Sequence, residues 1–155
     1  MAPTVYNLRS RRSFRVVEKA LRAGSNRFDV ALIRFSVLGN RIHLLVEAAD
    51  RSALSRSIQG LSIRIAKAMN RLMGRKGRVL ADRYHSRVLR TPTEVHNVIH
   101  YLRDNHRRHE AARRDGVSPA TFPAGWVDPM TVESGCEPRT WLLRVGWLRA
   151  PTNKS

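Results

Sequence analysis

Two residues have the type and setting to do chemistry: a tyrosine in a helical stretch and a histidine in a strand. Tyr101 lies in Val95-His96-Asn97-Val98-Ile99-His100-Tyr101-Leu102-Arg103-Asp104-Asn105-His106, where Val95, Val98, Ile99 and Leu102 recur at helical spacing. That spacing puts Tyr101 off the centre of the apolar stripe, with Asn97 and Asn105 one turn to either side on the same face. A tyrosine hydroxyl among amides can attack phosphate and form a covalent intermediate. The plainer role of the same residue is at the edge of a core, with its hydroxyl hydrogen-bonded.

The histidine belongs to Gly39-Asn40-Arg41-Ile42-His43-Leu44-Leu45-Val46-Glu47, which follows a β-prone run from Phe28 to Leu38. Gly39-Asn40 is a two-residue turn signal, so the pair reads as a hairpin of strands 28–38 and 41–48. Alternation assigns Ile42, Leu44 and Val46 to the core. It sends Arg41, His43, Leu45 and Glu47 to the opposite face, lining up a guanidinium, an imidazole and a carboxylate.

These residues need elements to position them. Phe14, Val17 and Leu21 predict a helix that starts at Ser10 or Ser13 and stops at Gly24. Leu54, Ile58, Leu61, Ile65, Met69 and Leu72 predict the longest helix, over 51–74, capped by Asp50 or Ser52, weakened at Gly60 and ended by Gly74. Gly77 to Leu89 reads as a loop and a strand bearing Arg83, Tyr84, His85 and Arg87. Thr91 then caps a helix with Pro92 first and Glu94 in its opening turn, running to about Arg108.

Beyond it the composition turns to Gly, Pro, Ser and Thr. We divide the chain into a domain over 1–112, a linker over 113–138 and a tail over 139–155. Trp141, Leu142, Leu143, Val145 and Trp147 give the tail an apolar cluster that docks on the domain, with stacking on bases as the other use of its tryptophans. With a short strand supplied by residues 4–8, the order predicts an α+β fold. Its form is a ferredoxin-like split βαβ sandwich on an antiparallel sheet, first strand short or missing, helices over one sheet face and the other face free.

Composition sets the partner class. The chain of 155 residues carries 29 Lys+Arg against 12 Asp+Glu, a net charge of +17. Such a surplus points to a polyanion, most often nucleic acid, with a merely solvated basic surface as the alternative. The basic side of 51–74 and the loop after it supply the expected backbone contacts: Arg56, Arg64, Lys67, Arg71, Arg75, Lys76 and Arg78, joined by Arg41 and Arg83. One cysteine, Cys136, excludes an internal disulfide and a cysteine-cluster metal site. No apolar run has the length of a membrane span and no signal-peptide core opens the chain, so a cytoplasmic location and no membrane partner are expected. His96 and His100 stand at i, i+4, and His106 and His109 at i, i+3. No His-Glu-x-x-His pattern accompanies them, and a zinc centre is not expected there.

Taken together, Asn40-Arg41-Ile42-His43-Leu44-Leu45-Val46-Glu47, Gly60 with Asn70-Arg71, Gly77-Arg78-Val79-Leu80-Ala81-Asp82-Arg83-Tyr84-His85 and Tyr101-Leu102-Arg103-Asp104-Asn105 resemble the REP-associated tyrosine transposases, single-tyrosine members of the HUH superfamily. The resemblance spans about residues 8–109, and Arg139-Thr140-Trp141-Leu142-Leu143 with Gly146-Trp147 is similar to the tail of one bacterial branch.

The resemblance implies a ferredoxin-like enzyme that nicks and rejoins single-stranded, often hairpin, DNA through a 5′-phosphotyrosine. It implies Tyr101 as nucleophile, and His43 with Asn105 as ligands of one Mg²⁺ or Mn²⁺. Its first metal histidine is replaced here by Arg41, which has no lone pair to offer a metal. The chain also begins where the family's first strand would just have ended. Two expectations follow: a divergent single-strand nuclease, or a relic of that family that binds DNA without chemistry. A nucleoid-associated location goes with both, and a homodimer is left open. An RNA-binding ferredoxin-like module is disfavoured, since the paired aromatics of that use are missing from the central strands.

Overall fold

The computed structural model of the chain describes residues 8, 10–27, 29–37, 41–81, 83–111, 131–133 and 137–150, with the backbone alone for 27, 103–111 and 131–133. The expected first strand at 4–8 lies outside the described residues except for Leu8, and so does the Gly39-Asn40 turn.

Helix α1 spans Arg11–Arg22 and starts where Ser10 Oγ accepts from the Ser13 amide at 3.2 Å. It buries Phe14, Val17, Ala20 and Leu21. Strands β1 (Asn26–Arg27), β2 (Val30–Val37) and β3 (Ile42–Ala48) follow, and Asp29 turns the chain between the first two at φ +58°. Aspartate is one of the few side chains that take this left-handed conformation readily. Helix α2 spans Arg51–Leu72, capped by Asp50 Oδ1, which accepts from the Ala53 amide at 2.7 Å. Gly74, at φ +61°, lets the chain leave that helix.

Helix α3, Pro92–Ala111, opens with a reciprocal capping box. Thr91 Oγ1 accepts from the Glu94 amide, and Glu94 Oε2 accepts from the amides of Thr91 and Arg90. A short strand β4 (Thr131–Glu133), a one-turn helix α4 (Trp141–Arg144) and a 3₁₀ turn (Gly146–Arg149) complete the described chain.

The sheet is antiparallel and centres on β2. Strand β3 lies along one edge of β2, while β1 and β4 share the other edge. The fold is α+β as expected, but its fit to a ferredoxin-like sandwich is loose, and three differences explain why.

First, both faces of the sheet are covered. Leu32, Phe35 and Val37 meet Phe14, Val17 and Leu21 of α1 and Leu61, Ile65 and Met69 of α2 in one core, with Ile42, Leu44 and Val46 packed against it. On the other face Ala31, Ile33 and Leu45 meet Val95, Ile99 and Leu102 of α3 and Leu143 of α4. Leu45, read from alternation as pointing away from the core, is 5% exposed in this second core. The expected free face is therefore closed by α3 and the tail.

Second, no strand forms at 77–89 among the described residues. The segment runs irregular and largely exposed, held to α2 where Ser55 Oγ and Tyr84 Oη lie 2.8 Å apart. Third, β4 falls inside the stretch read as linker, with Glu133 opposite Arg34 and Thr131 opposite Ser36.

In the tail Leu143 is buried, and Leu142 and Trp147 pack on the second core. Trp141 does not join them and stays 57% exposed. Its ring lies over Gly146, where an added Cβ would stand 2.6 Å from Cζ3.

Candidate tyrosine site and nucleic-acid interface

His43 owes its position to hairpin register. It pairs with Ser36 across β2 and β3, so both side chains project from the face that α3 covers. The register slips by one residue at Ile33, between the Leu32–Val46 and Arg34–Leu45 pairs. Such a bulge places two successive side chains on one face. Ile33 enters the second core, and Arg34, opposite Leu45, is delivered to the same face as His43 and Ser36. Diagonal neighbours of this kind lie about 7–8 Å apart. Arg34 was not among the expected site residues, because strict alternation from Phe28 does not reveal a bulge.

On α3 the buried stripe Val95, Ile99 and Leu102 faces the sheet and leaves Tyr101 on its flank, 44% exposed. The rings of His43 and Tyr101 meet edge to face, with centroids 5.9 Å apart and planes at 82°. His43 is half-buried and its Nε2 is shielded from solvent. The two residues singled out first from sequence are thus brought together. Arg41 is exposed at the hairpin end, one alternation before His43, hence about 7 Å along the strand.

Of the expected metal ligands, His43 alone has a described side chain. Glu47 is committed elsewhere: its carboxylate accepts from the Arg139 amide at 2.5 Å, from the Thr140 amide at 2.9 Å and from the Thr140 hydroxyl. It also lies four residues from His43, about 13 Å along an extended strand. Arg41 has no donor pair. The Asn105 side chain lies outside the described residues. Among those described, no three His, Cys, Asp or Glu side chains come together to hold an ion. Among the described side chains His43 is thus a lone candidate donor beside the cationic Arg41, short of the set that the resemblance implies.

The expected phosphate contacts divide between layers. Arg56, Lys67 and Arg71 are exposed and Arg64 is half-buried on the outer side of α2, which covers the sheet face opposite Tyr101. A strand of DNA seated on that side cannot also reach Tyr101 without passing round the sheet. Arg75 and Arg78 spend donors on the loop itself: Arg75 Nη2 donates to the Arg78 carbonyl at 3.3 Å and Arg78 Nε to the Leu80 carbonyl at 2.9 Å. Asn70 Nδ2 adds a bond to the Gly77 carbonyl at 2.7 Å.

From that loop the chain crosses from the α2 layer to the α3 layer. Exposed Lys76, Arg83, Arg87 and Arg90 lie along it. Tyr84 pins it to α2, and Arg87 pins it to α3 through a 2.8 Å ion pair with Glu94. The Arg90 amide, the Arg87 guanidinium and the Thr91 amide together hold the Glu94 carboxyl at a pKa of about 2. No family model, no curated protein and no solved structure matches this chain.

Proposed function

We propose that this protein binds single-stranded or hairpin DNA and that Tyr101 attacks a backbone phosphate, in the manner of the REP-associated tyrosine transposases that its motifs resemble. The observation that carries the reading is the edge-to-face meeting of His43 and Tyr101 at 5.9 Å, on a sheet face shared with Arg34, in a chain of net charge +17. In the step itself, the Tyr101 hydroxyl gives up its proton, with the His43 imidazole as acceptor. The phenolate oxygen bonds to phosphorus, the bond from phosphorus to the 3′-oxygen breaks, and that oxygen takes a proton. The products are a 5′-phosphotyrosine and a free 3′-hydroxyl. Arg34 and Arg41 supply positive charge where the phosphoryl oxygens gain negative charge.

DNA reaches Tyr101 along the crossing segment. Three phosphate contacts from the exposed Arg41, Arg83 and Arg90 would give a single-strand salt slope near −2, so binding weakens about twentyfold between 50 and 200 mM salt. A nucleoid location and assembly as a homodimer belong to the same reading.

The test is incubation with labelled, hairpin-bearing single-stranded DNA, with Mn²⁺ or with EDTA, read on a denaturing gel. An adduct should form with the wild type, vanish in Tyr101→Phe, and form about a hundredfold more slowly in Arg34→Gln, the usual cost of one charge-stabilising donor. The second reading, a DNA-binding relic without chemistry, draws on the Arg41 replacement and on the commitment of Glu47 to the tail. DNA retained with no adduct from the wild type or from Arg41→His would establish it in place of the first.

A further inference from the structure

Helix α3 carries a second pair of side chains that the tyrosine site does not use. His96 and His100 stand one turn apart with ring centroids 4.3 Å apart and planes tilted by 38°. His96 is half-buried, His100 exposed. Behind them lies the 3₁₀ turn of the tail: His96 Nδ1 sits 3.3 Å from the carbonyl oxygen of Trp147, and the imidazole and indole centroids are 6.3 Å apart. A carbonyl only accepts, so Nδ1 carries the hydrogen and the neutral ring keeps its lone pair at Nε2. A backbone carbonyl holding the far nitrogen of a ring is the usual support of a metal-bound histidine.

Spacing alone gave no reason to expect zinc at this pair, but the Trp147 carbonyl behind His96 and the close approach of the two rings change that reading, and we propose that His96 and His100 form a two-histidine site for a first-row transition dication of the imidazole-preferring class, Zn²⁺, Cu²⁺ or Ni²⁺, with water completing its coordination. Bonds of about 2.0–2.1 Å at tetrahedral or square angles require the two nitrogens about 3 Å apart. Residues at i, i+4 start from Cβ atoms about 5–6 Å apart, so with His96 held by the Trp147 carbonyl the exposed His100 ring need only turn about its side-chain torsions to bring the nitrogens together. Imidazole donors without carboxylates select this class over Mg²⁺ and Ca²⁺. The net charge of +17 opposes any cation, but at physiological ionic strength charges beyond about 8 Å are largely screened. Two protein ligands make the ion exchangeable. Because the Trp147 carbonyl orients His96, a bound ion also fastens the tail to α3. The site is independent of the chemistry proposed for Tyr101.

The test uses the full chain with ZnCl₂ in a calorimeter and with CuCl₂ as a quencher of tryptophan emission. Saturable binding of one equivalent is expected, indifferent to excess Mg²⁺. His96→Gln and His100→Gln should each weaken it by at least about tenfold, since even a supporting group behind a ligand is worth that much. The double variant should abolish it, with an unchanged far-ultraviolet spectrum as the control for folding. His106→Gln with His109→Gln should leave it intact, and Trp147→Phe should bind while losing most of the quenching. One-equivalent binding that survives in the His96/His100 double variant would overturn the proposal. So would the lack of saturable binding below millimolar Zn²⁺ in the wild type.

Discussion

Replacing Glu47 with alanine should loosen the tail from the sheet. In the native chain this carboxylate, from the penultimate residue of β3, accepts three hydrogen bonds at the start of α4: two amides and one hydroxyl from Arg139 and Thr140. Bonds to a charged acceptor contribute about 1.5–3 kcal/mol each when fully protected. Here Arg139 and Thr140 are exposed and Glu47 is only half-buried, so water replaces much of what is lost. The relevant scale is that of a helix N-cap, about 0.5–2 kcal/mol. We take about 1–2 kcal/mol, which shifts the docking equilibrium by a factor of about 5–30. If the tail unfolds with the rest, melting falls by roughly 2–8 °C for a chain of this size.

Two assays separate the levels of this claim. Calorimetry reads the global transition, and amide hydrogen exchange at Arg139, Thr140 and the 3₁₀ turn reads local undocking. Glu47→Gln keeps one acceptor oxygen without the charge and should fall between wild type and alanine. If Glu47→Ala melts with the wild type and its tail amides exchange no faster, the carboxylate does not hold the tail and the reasoning fails.

Other outcomes follow from the same geometry. Glu94 has its pKa lowered from 4.5 to about 2, so its folded form prefers the charged state more than its unfolded form does. Its stabilising contribution is therefore complete above about pH 4.5 and lost as pH falls toward 2; Glu94→Gln should flatten that part of an acid-unfolding curve followed by circular dichroism. Gly24→Ala places a Cβ 2.6 Å from Leu61 Cδ2, where α1 abuts α2. Leu61 is a core residue, so the variant should lose about 1–3 kcal/mol in urea unfolding, and a wild-type midpoint would contradict the packing described.

The elements with strong local signals were legible in the sequence. Ser10, Asp50 and the Thr91–Glu94 pair each announce a helix start with a side chain that satisfies open amides, and each cap is found. The hairpin was legible because Ile42, Leu44 and Val46 alternate cleanly. What the sequence did not disclose depends on contacts between distant segments. Leu45 was placed among polar neighbours, yet α3 and Leu143 cover it. Strand β4 is three residues in a stretch rich in turn formers, and only its pairing with β2 makes it a strand. Arg83, Tyr84, His85 and Arg87 read as a strand, but the segment takes its partners from side chains of α2 and α3 instead. At the site, His43 and Tyr101 were legible by type and by resemblance. Arg34 was not, because a bulge changes which side of a strand a residue occupies without changing its composition.

The two cores also differ in when the growing chain can complete them. Among the described residues, those of the first all come from Leu8 to Val79, about half of the polypeptide. The second needs α3 and then Leu143, close to the far end of the described chain. Synthesis proceeds at about 5–20 residues per second, so the N-terminal half can close over one side of the sheet several seconds before the other side has its cover. During that interval Ala31, Ile33 and Leu45 present an apolar surface to the cell. The late-arriving tail thus acts as the closing piece of assembly, and a ribosome that stalls before Leu143 leaves a half-sandwich exposed to aggregation.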